Sequence, residues 1–412
     1  MMRRLFVVLL ALALSSAACG SEPSEQSSDT GLSPDVGADA GDVFGADAEV
    51  DAGPTLPERP WPVDETGPYK VGFTETYITY EAEGTDEPRN LRLAVWYPTL
   101  DTDGETAVYY NLFGRPEVSL GASVALEEPA PLLVFSHGNS SLAEQSFFMT
   151  EFFASHGWIV ASPDHTGNTL RDTQGAIDLT AAVFRPQDVS AVIDHMLALP
   201  DDDPLSGLVS EEHIALSGHS FGGFTTLASS GAGFAVDELL AECEQEPTDF
   251  CEIFNGNDTW TDLFRAGFLD ERIKVAIPQT PGGYEAFRDG LADIDTPTLL
   301  FTGGMDRTLP NEEEGDPIWQ AMQGSQHIRI NLPKGGHFTF SNMCTLLSGI
   351  DQIDNDGCNE EFIEPEAAFD IINAYSLAFA RYHLFDDQSE ADLLDGSRAP
   401  YDGMEMSFKP AE

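Results

Sequence analysis

Between residues 68 and 385 short apolar runs alternate with longer amphipathic stretches. Residues 74–80 and 91–97 alternate apolar with polar side chains across a polar turn at 84–89, the period-two pattern of two half-buried strands. Residues 131–135 form a continuous apolar run, as required in a sheet covered on both faces. The spacing of apolar residues predicts a helix over 142–156, a strand over 158–161 and an amphipathic helix over 186–199. Further strands are predicted at 213–217, 273–277, 298–302 and 327–331. A last helix is predicted over 365–384, with proline at a favoured first-turn position. The stretch through Tyr109, Tyr110 and Asn111 reads as a loop. Strands alternating with helices over this length predict one large α/β domain, residues 67–390, with a mostly parallel, doubly wound sheet. Residues 236–269 break the rhythm and carry Cys243, Cys251, Phe254, Trp260 and Phe264. They read as a small helical cap over the mouth of a site above the sheet, the alternative being a plain surface excursion.

The ends of the chain are of another kind. Arg3 and Arg4 precede an apolar run at 5–14 and the small residues Ser15 to Ala18, so residues 1–19 read as an export signal. Cys19, just after the small residues, resembles the cysteine of a bacterial lipobox, which becomes the lipidated N-terminus and a membrane tether. Ser16 stands where leucine is usual, so cleavage without lipidation, and secretion, remains the alternative. The apolar run is too short for a good membrane span. Residues 20–66, rich in Gly, Ala, Ser, Pro and Asp, read as a disordered acidic linker, and 391–412 as a C-terminal extension.

Charge narrows the partners. The 412 residues carry 71 acidic against 19 basic side chains, a formal charge of −52, which repels phosphate backbones and anionic lipid and argues against nucleic-acid binding. The acid is spread along the chain, favouring adaptation to salty surroundings over a simple acidic tail, because salt screens such charges within roughly 8 Å. Four cysteines remain after Cys19. Their closeness in sequence favours local disulfides, Cys243 with Cys251 and Cys344 with Cys358, among three possible pairings. Metal ligation is the weaker reading, since neither pair has Cys-x-x-Cys spacing.

The candidate chemistry centres on Gly218-His219-Ser220-Phe221-Gly222, a G-x-S-x-G turn between a predicted strand and helix that lifts the serine hydroxyl above the sheet. A serine hydroxyl needs a base, and the base an orienting acid. Asp306 follows the strand at 298–302, and His337 follows the strand at 327–331 in Gly335-Gly336-His337. Asp293, Asp295 and Glu312 are alternative acids. His219 is locked beside Ser220 and reads as a packing or hydrogen-bonding residue. The backbone N–H of Phe221 and that of Asn139, in Ser136-His137-Gly138-Asn139, are candidate oxyanion donors. Tyr109, Tyr110 and Trp260 are candidate pocket residues. Asp351, Asp354 and Asp356, in a glycine-ended run, partly match a calcium loop without its full pattern, against a polar loop stapled by Cys344 and Cys358.

In this order Ser136-His137-Gly138, Pro163-Asp164-His165-x-Gly167-Asn168, Arg185-Pro186-x-Asp188, Gly218-His219-Ser220-Phe221-Gly222-Gly223 and Gly336-His337-Phe338 resemble bacterial relatives of platelet-activating-factor acetylhydrolase and dienelactone hydrolase. Gly67-Pro68-Tyr69-x-Val71-Gly72 and Val95-Trp96-Tyr97-Pro98 extend the likeness over most of 67–384. The resemblance implies an α/β-hydrolase fold with an eight-stranded sheet, and hydrolysis of carboxylic esters, short-chain or phospholipid acetyl-type, through an acyl-enzyme without a required cofactor; calcium would be structural only. Two departures matter. Dienelactone hydrolases use cysteine where Ser220 stands. Animal acetylhydrolases place their acid after the next strand, where Ile277-Pro278-Gln279-Thr280 offers none, so the role returns to Asp306, as in cutinase-like polyesterases. Extracellular polyester hydrolysis, acyl transfer and a non-catalytic surface binding module are the alternative functions.

Overall fold

The computed structural model describes residues 60–172, 178–245, 250–254, 257–347, 349–398 and 401–409. The export signal, Cys19 and the linker up to residue 59 lie outside them. An eleven-stranded sheet runs in the order β11-β10-β9-β8-β7-β5-β6-β2-β1-β4-β3. Its middle is β5 (Ala130–Ser136), β6 (Ile159–Pro163), β7 (Val209–His219), β8 (Ile273–Gln279), β9 (Leu299–Gly303) and β10 (Ile328–Leu332), paired parallel throughout. The strands β1 (Lys70–Tyr80) and β2 (Arg89–Thr99) form an antiparallel pair joined to β6.

Those eight strands are the eight that the apolar pattern predicts. Of the other three, β3 (Glu105–Tyr109) and β11 (Glu405–Phe408) are the two edge strands, and β4 (Phe113–Leu120) lies next to β3. Edge strands need no apolar side chains on both faces, and β4 carries Gly114, Arg115 and Pro116, residues that mask a strand signal. Through β11 the C-terminal stretch joins the sheet antiparallel to β10. At the other end the fold begins before residue 66: Trp61 and Val63 are buried, and the Trp61 carbonyl accepts from Arg381.

Two apolar layers sandwich the sheet. On one face α1 (Phe147–Ser155) and the long helix Pro365–Phe385 pack on Trp96, Phe135, Val160 and Phe301. On the other, α2 (Ala181–Leu197) covers Leu93, Val134 and Leu216, and α3 (Phe221–Ser229) shares a third cluster with the cap. Each such large side chain, fully buried, contributes roughly 1.5–3 kcal/mol. The predicted helix at 142–156 starts later, at Phe147, because Leu142 to Ser146 are held in turns, with the Ala143 N–H donating to Asp164. The predicted helix at 186–199 starts earlier, so Pro186 lies inside α2.

The insertion is helical: α4 (Val236–Cys243), α5 (Phe250–Phe254) and α6 (Asp258–Ala266), with α4 and α5 stapled by the Cys243–Cys251 disulfide. Asn257 caps α6 by accepting the Trp260 N–H. The indole of Trp260 donates to the Gly84 carbonyl and meets Phe184 of α2 edge-on. The cap therefore rests on α2 and the β1–β2 turn, and no hydrogen bond or ring contact among the described residues joins it to Ser220, Asp306 or His337.

Strand register fixes the rest. Ser136 pairs with Gly218, Gly218 with Pro278, and Gly303 with Leu332. The loops that follow β5, β7, β9 and β10 thus leave the same edge of the sheet side by side.

Candidate active site

Between β7 and α3 the chain makes one abrupt turn, and Ser220 is the residue that makes it. Its φ of 59° and ψ of −116° lie outside the ordinary regions for a residue with a side chain. The surroundings hold it there. The Ser220 N–H donates to the Gln279 carbonyl at 2.9 Å, and its own carbonyl accepts from Phe224 at 3.1 Å. Two glycines make the turn sterically possible: a Cβ on Gly222 would sit 1.8 Å from the Ser136 oxygen, and one on Gly218 would sit 2.4 Å from the Gly222 oxygen.

The turn aims the hydroxyl at the loop after β10. His337 Nε2 lies 2.9 Å from Ser220 Oγ, and His337 Nδ1 lies 2.8 Å from Asp306 Oδ2. Asp306 Oδ1 accepts the Leu309 N–H at 2.6 Å, which fixes the carboxylate plane. Of the four candidate acids, Asp306 is the one brought to the imidazole. Both partners are buried. Burial pushes the His337 imidazole down, but the Asp306 carboxylate outweighs it and the net direction is above the ordinary value. Burial raises the Asp306 carboxyl, opposed by the imidazole.

Phe221 opens α3, and Asn139 lies in the loop after β5. Neither backbone N–H has a hydrogen-bond acceptor among the described residues. The β5 loop is clamped from three sides. Gly138 donates its N–H to Gln145 Oε1 at 2.6 Å. Arg185 reaches up from α2 and donates to the carbonyls of both His137 and Gly138. Asn168 accepts from Arg185 and donates to Asn139 Oδ1 at 2.9 Å. The Arg185 guanidinium, wholly buried, lies 4.8 Å from the centre of the Phe221 ring. Burial lowers its pKa to about 9, so it is still charged at neutral pH.

His219, next to the serine, faces the other way. Its Nδ1 accepts from Gln145 Nε2 at 2.8 Å, and its Nε2 donates to the His337 carbonyl at 2.8 Å. Burial holds its pKa well below the ordinary value, and the ring is neutral. A continuous chain therefore runs from Gly138 through Gln145 and His219 to His337. Behind it Asp188, wholly buried, binds Arg89, Tyr80 and His165, and His165 meets Ser136 Oγ at 2.9 Å. The sequence reading gave Gln145 and Arg185 no role. The signal for Arg185 is its occurrence with Asp188, three residues on, on the buried side of a largely apolar helix.

Other candidates find different places. Tyr109 is in the core, its hydroxyl bonded to Trp96 and Glu151, and is not a pocket wall. Trp260 belongs to the cap contact with α2 described above. Tyr110 lies under the Arg171 guanidinium, its N–H on Glu144 in the segment after β5. Two aspartates of the calcium-like run accept from protein donors. Asp356 spends its oxygens on the N–H groups of Arg307 and His337 and on the Thr308 hydroxyl, and Asp354 accepts from Gly349. Among the described residues no group of three metal-type side chains converges. Cys344 and Cys358 form the second disulfide, stapling this loop as the polar-loop reading expected.

No family profile matches the chain. A platelet-activating factor acetylhydrolase of Cavia porcellus is 25% identical over 382 residues, covering 77% of each chain. Among solved structures, a ferulic acid esterase from Streptomyces cinnamoneus superposes with a TM-score of 0.59 at 21% identity, covering 82% of this chain and 96% of that one. The second likeness, together with the sheet order, shows the α/β-hydrolase fold.

Proposed function

We propose that this chain, similar in sequence to an acetylhydrolase and in fold to an esterase, hydrolyses carboxylic esters through an acyl-serine intermediate. The observation that carries the reading is the relay Ser220–His337–Asp306, at 2.9 and 2.8 Å, on a serine held at positive φ. His337 Nε2 takes the Ser220 proton as Oγ attacks the ester carbonyl carbon. Asp306 keeps the imidazole in the Nδ1–H tautomer and stabilises the cation that forms. The N–H groups of Phe221 and Asn139 receive the oxyanion. When the tetrahedral intermediate collapses, the C–O bond to the alcohol breaks and His337 returns the proton to the leaving oxygen. Water then enters by the same route, its proton to His337 and its oxygen to the acyl carbon, and as the bond from the acyl carbon to Oγ breaks His337 returns the proton to Ser220. None of these steps calls on a cofactor.

The substrates we propose are short acyl esters, including acetyl esters of phospholipid type, supported by the acetylhydrolase likeness and by the residue motifs from 67 to 384. We also propose that the protein is exported and tethered through a lipidated Cys19. The leader-like segment before Cys19 and the two disulfides support this reading. A fluorophosphonate should label the protein stoichiometrically at Ser220, and Ser220→Ala should abolish both labelling and p-nitrophenyl acetate cleavage. Labelling elsewhere, or cleavage undiminished in the variant, refutes the mechanism. Parallel assays on acetyl, feruloyl and polyester substrates rank the acyl classes.

A further inference from the structure

The loop at 354–358 sits against the site without touching Ser220. Asp356, 4% exposed, points its carboxylate into the gap between two neighbouring loops. Its Oδ1 accepts the N–H of Arg307, which follows Asp306, and the N–H of His337, both at 3.0 Å. Its Oδ2 accepts the Thr308 hydroxyl at 2.7 Å. One side chain therefore holds the backbone of the orienting acid's neighbour and that of the base itself. Three donors converge on it, and only a carboxylate offers acceptors on both oxygens. The loop is seated tightly enough to transmit that grip. A Cβ on Gly336 would lie 2.6 Å from the Asp356 carbonyl carbon, and one on Gly357, whose φ is 140°, would lie 2.6 Å from the Thr339 nitrogen. The Cys344–Cys358 disulfide ties the loop to the segment that follows His337.

We propose that Asp356 is a positioning residue for the hydrolytic site: its carboxylate locks the loop after β9 to the loop after β10, and its charge supports the imidazolium form of His337. The proposal rests on the acyl-serine reading above. The charged and titratable groups facing this corner are few. His337 meets Asp306, Asp356 and the neutral ring of His219. The Arg307 guanidinium turns outward to the Asn355 carbonyl and Glu361, leaving the Asp356 charge directed at the backbone donors. Removing that charge disfavours protonated His337, and removing the acceptors lets the imidazole drift from Ser220 Oγ. A displacement of about 1 Å at such a site costs up to roughly 100-fold in rate.

The test uses the full chain with Asp356→Asn, Thr308→Val and Ser220→Ala, following p-nitrophenyl acetate hydrolysis from pH 5 to 9, with circular dichroism as the check on folding. In Asp356→Asn, kcat is expected to fall about 10- to 100-fold with KM within threefold of wild type, and the acid limb of kcat/KM to move to lower pH. Thr308→Val keeps the carboxylate but drops one leg, so kcat falls less and the acid limb stays in place. A folded Asp356→Asn protein with wild-type kcat, or with reduced kcat and an unmoved acid limb, overturns the proposal. If Asp356→Asn does not fold, Thr308→Val decides, and unchanged kcat overturns it. Full activity in Ser220→Ala would instead sink the acyl-serine reading. An inactive Ser220→Ala beside a wild-type-like Asp356→Asn sinks only the role of Asp356.

Discussion

Replacing Arg185 with methionine removes a guanidinium of which no part reaches solvent and leaves a side chain of similar reach that fills much of its volume. The arginine holds two consecutive carbonyls, those of His137 and Gly138, and orients Asn168 against the Asn139 amide. With the His137 carbonyl released and the Gly138 carbonyl left only the His137 Nδ1–H, the peptide that carries the Asn139 N–H is held less firmly. Loss of one oxyanion donor costs about 10²- to 10³-fold in kcat, equivalent to about 2.7–4 kcal/mol. The hydrogen bond to a ground-state carbonyl is weaker than that to an oxyanion, so KM should change little. The His137 carbonyl, left buried without a donor, also costs about 1–3 kcal/mol of stability, so the variant must be assayed well below its own melting temperature. The measurement is kcat and KM for p-nitrophenyl acetate, together with affinity for a trifluoromethyl ketone that adds Ser220 and places an oxyanion in the hole. Loss of ketone affinity should parallel loss of kcat/KM. Arg185→Lys, with one ammonium for two carbonyls, should fall between. A folded Arg185→Met protein whose kcat stays within threefold of wild type would refute the clamp and weaken the assignment of Asn139.

Two further expectations concern pH. Because the base must be neutral to accept the Ser220 proton, and because Asp306 raises His337 above its ordinary value, the acid limb of kcat/KM should lie above pH 6.5; a limb well below that pH contradicts the pairing. His156 and His165 are buried neutral, each lowered by burial to about 4. Between pH 6.5 and 4 the unfolded chain binds protons there that the folded chain does not, so stability falls as pH falls. Each contributes a loss of up to about 2 kcal/mol by pH 5, and a melting temperature unchanged from pH 7 to 5 would contradict it.

The apolar pattern reveals the sheet's interior because strands covered on both faces must be apolar throughout, as at 131–135 and 273–277. It conceals the edge strands β3 and β11, which answer to weaker demands, and β4 beside β3, whose Gly114, Arg115 and Pro116 mask the strand signal. The relay was legible for a related reason. Ser220, Asp306 and His337 each follow a parallel strand, and a parallel sheet delivers such positions to one edge. The clamps were not legible. Gln145, Arg185 and Asp356 act on backbone groups 7 to 49 residues away, and nothing local in sequence marks a side chain whose partner is such a carbonyl or amide. Asp356 drew notice as one acid among several in a short loop, which suggested an ion. Its partners are instead three protein donors, so no cation is needed to account for its burial.

The same contrast bears on electrostatics. The proposed mechanism has a chain of formal charge −52 generate a negative oxyanion inside a molecule of like sign. Surface carboxylates act through water and salt: two unit charges 10 Å apart in bulk water interact by only about 0.4 kcal/mol before screening. Arg185 has no such damping. It is a wholly buried cation whose nearest acceptors are neutral carbonyls and an amide, with Asp188 already engaged by Arg89, Tyr80 and His165. Its positive charge is therefore not cancelled by direct pairing, and it lies directly behind the loop that presents the Asn139 N–H. Positioning and field come from one side chain, which is why a surface this acidic is compatible with a site that must stabilise negative charge.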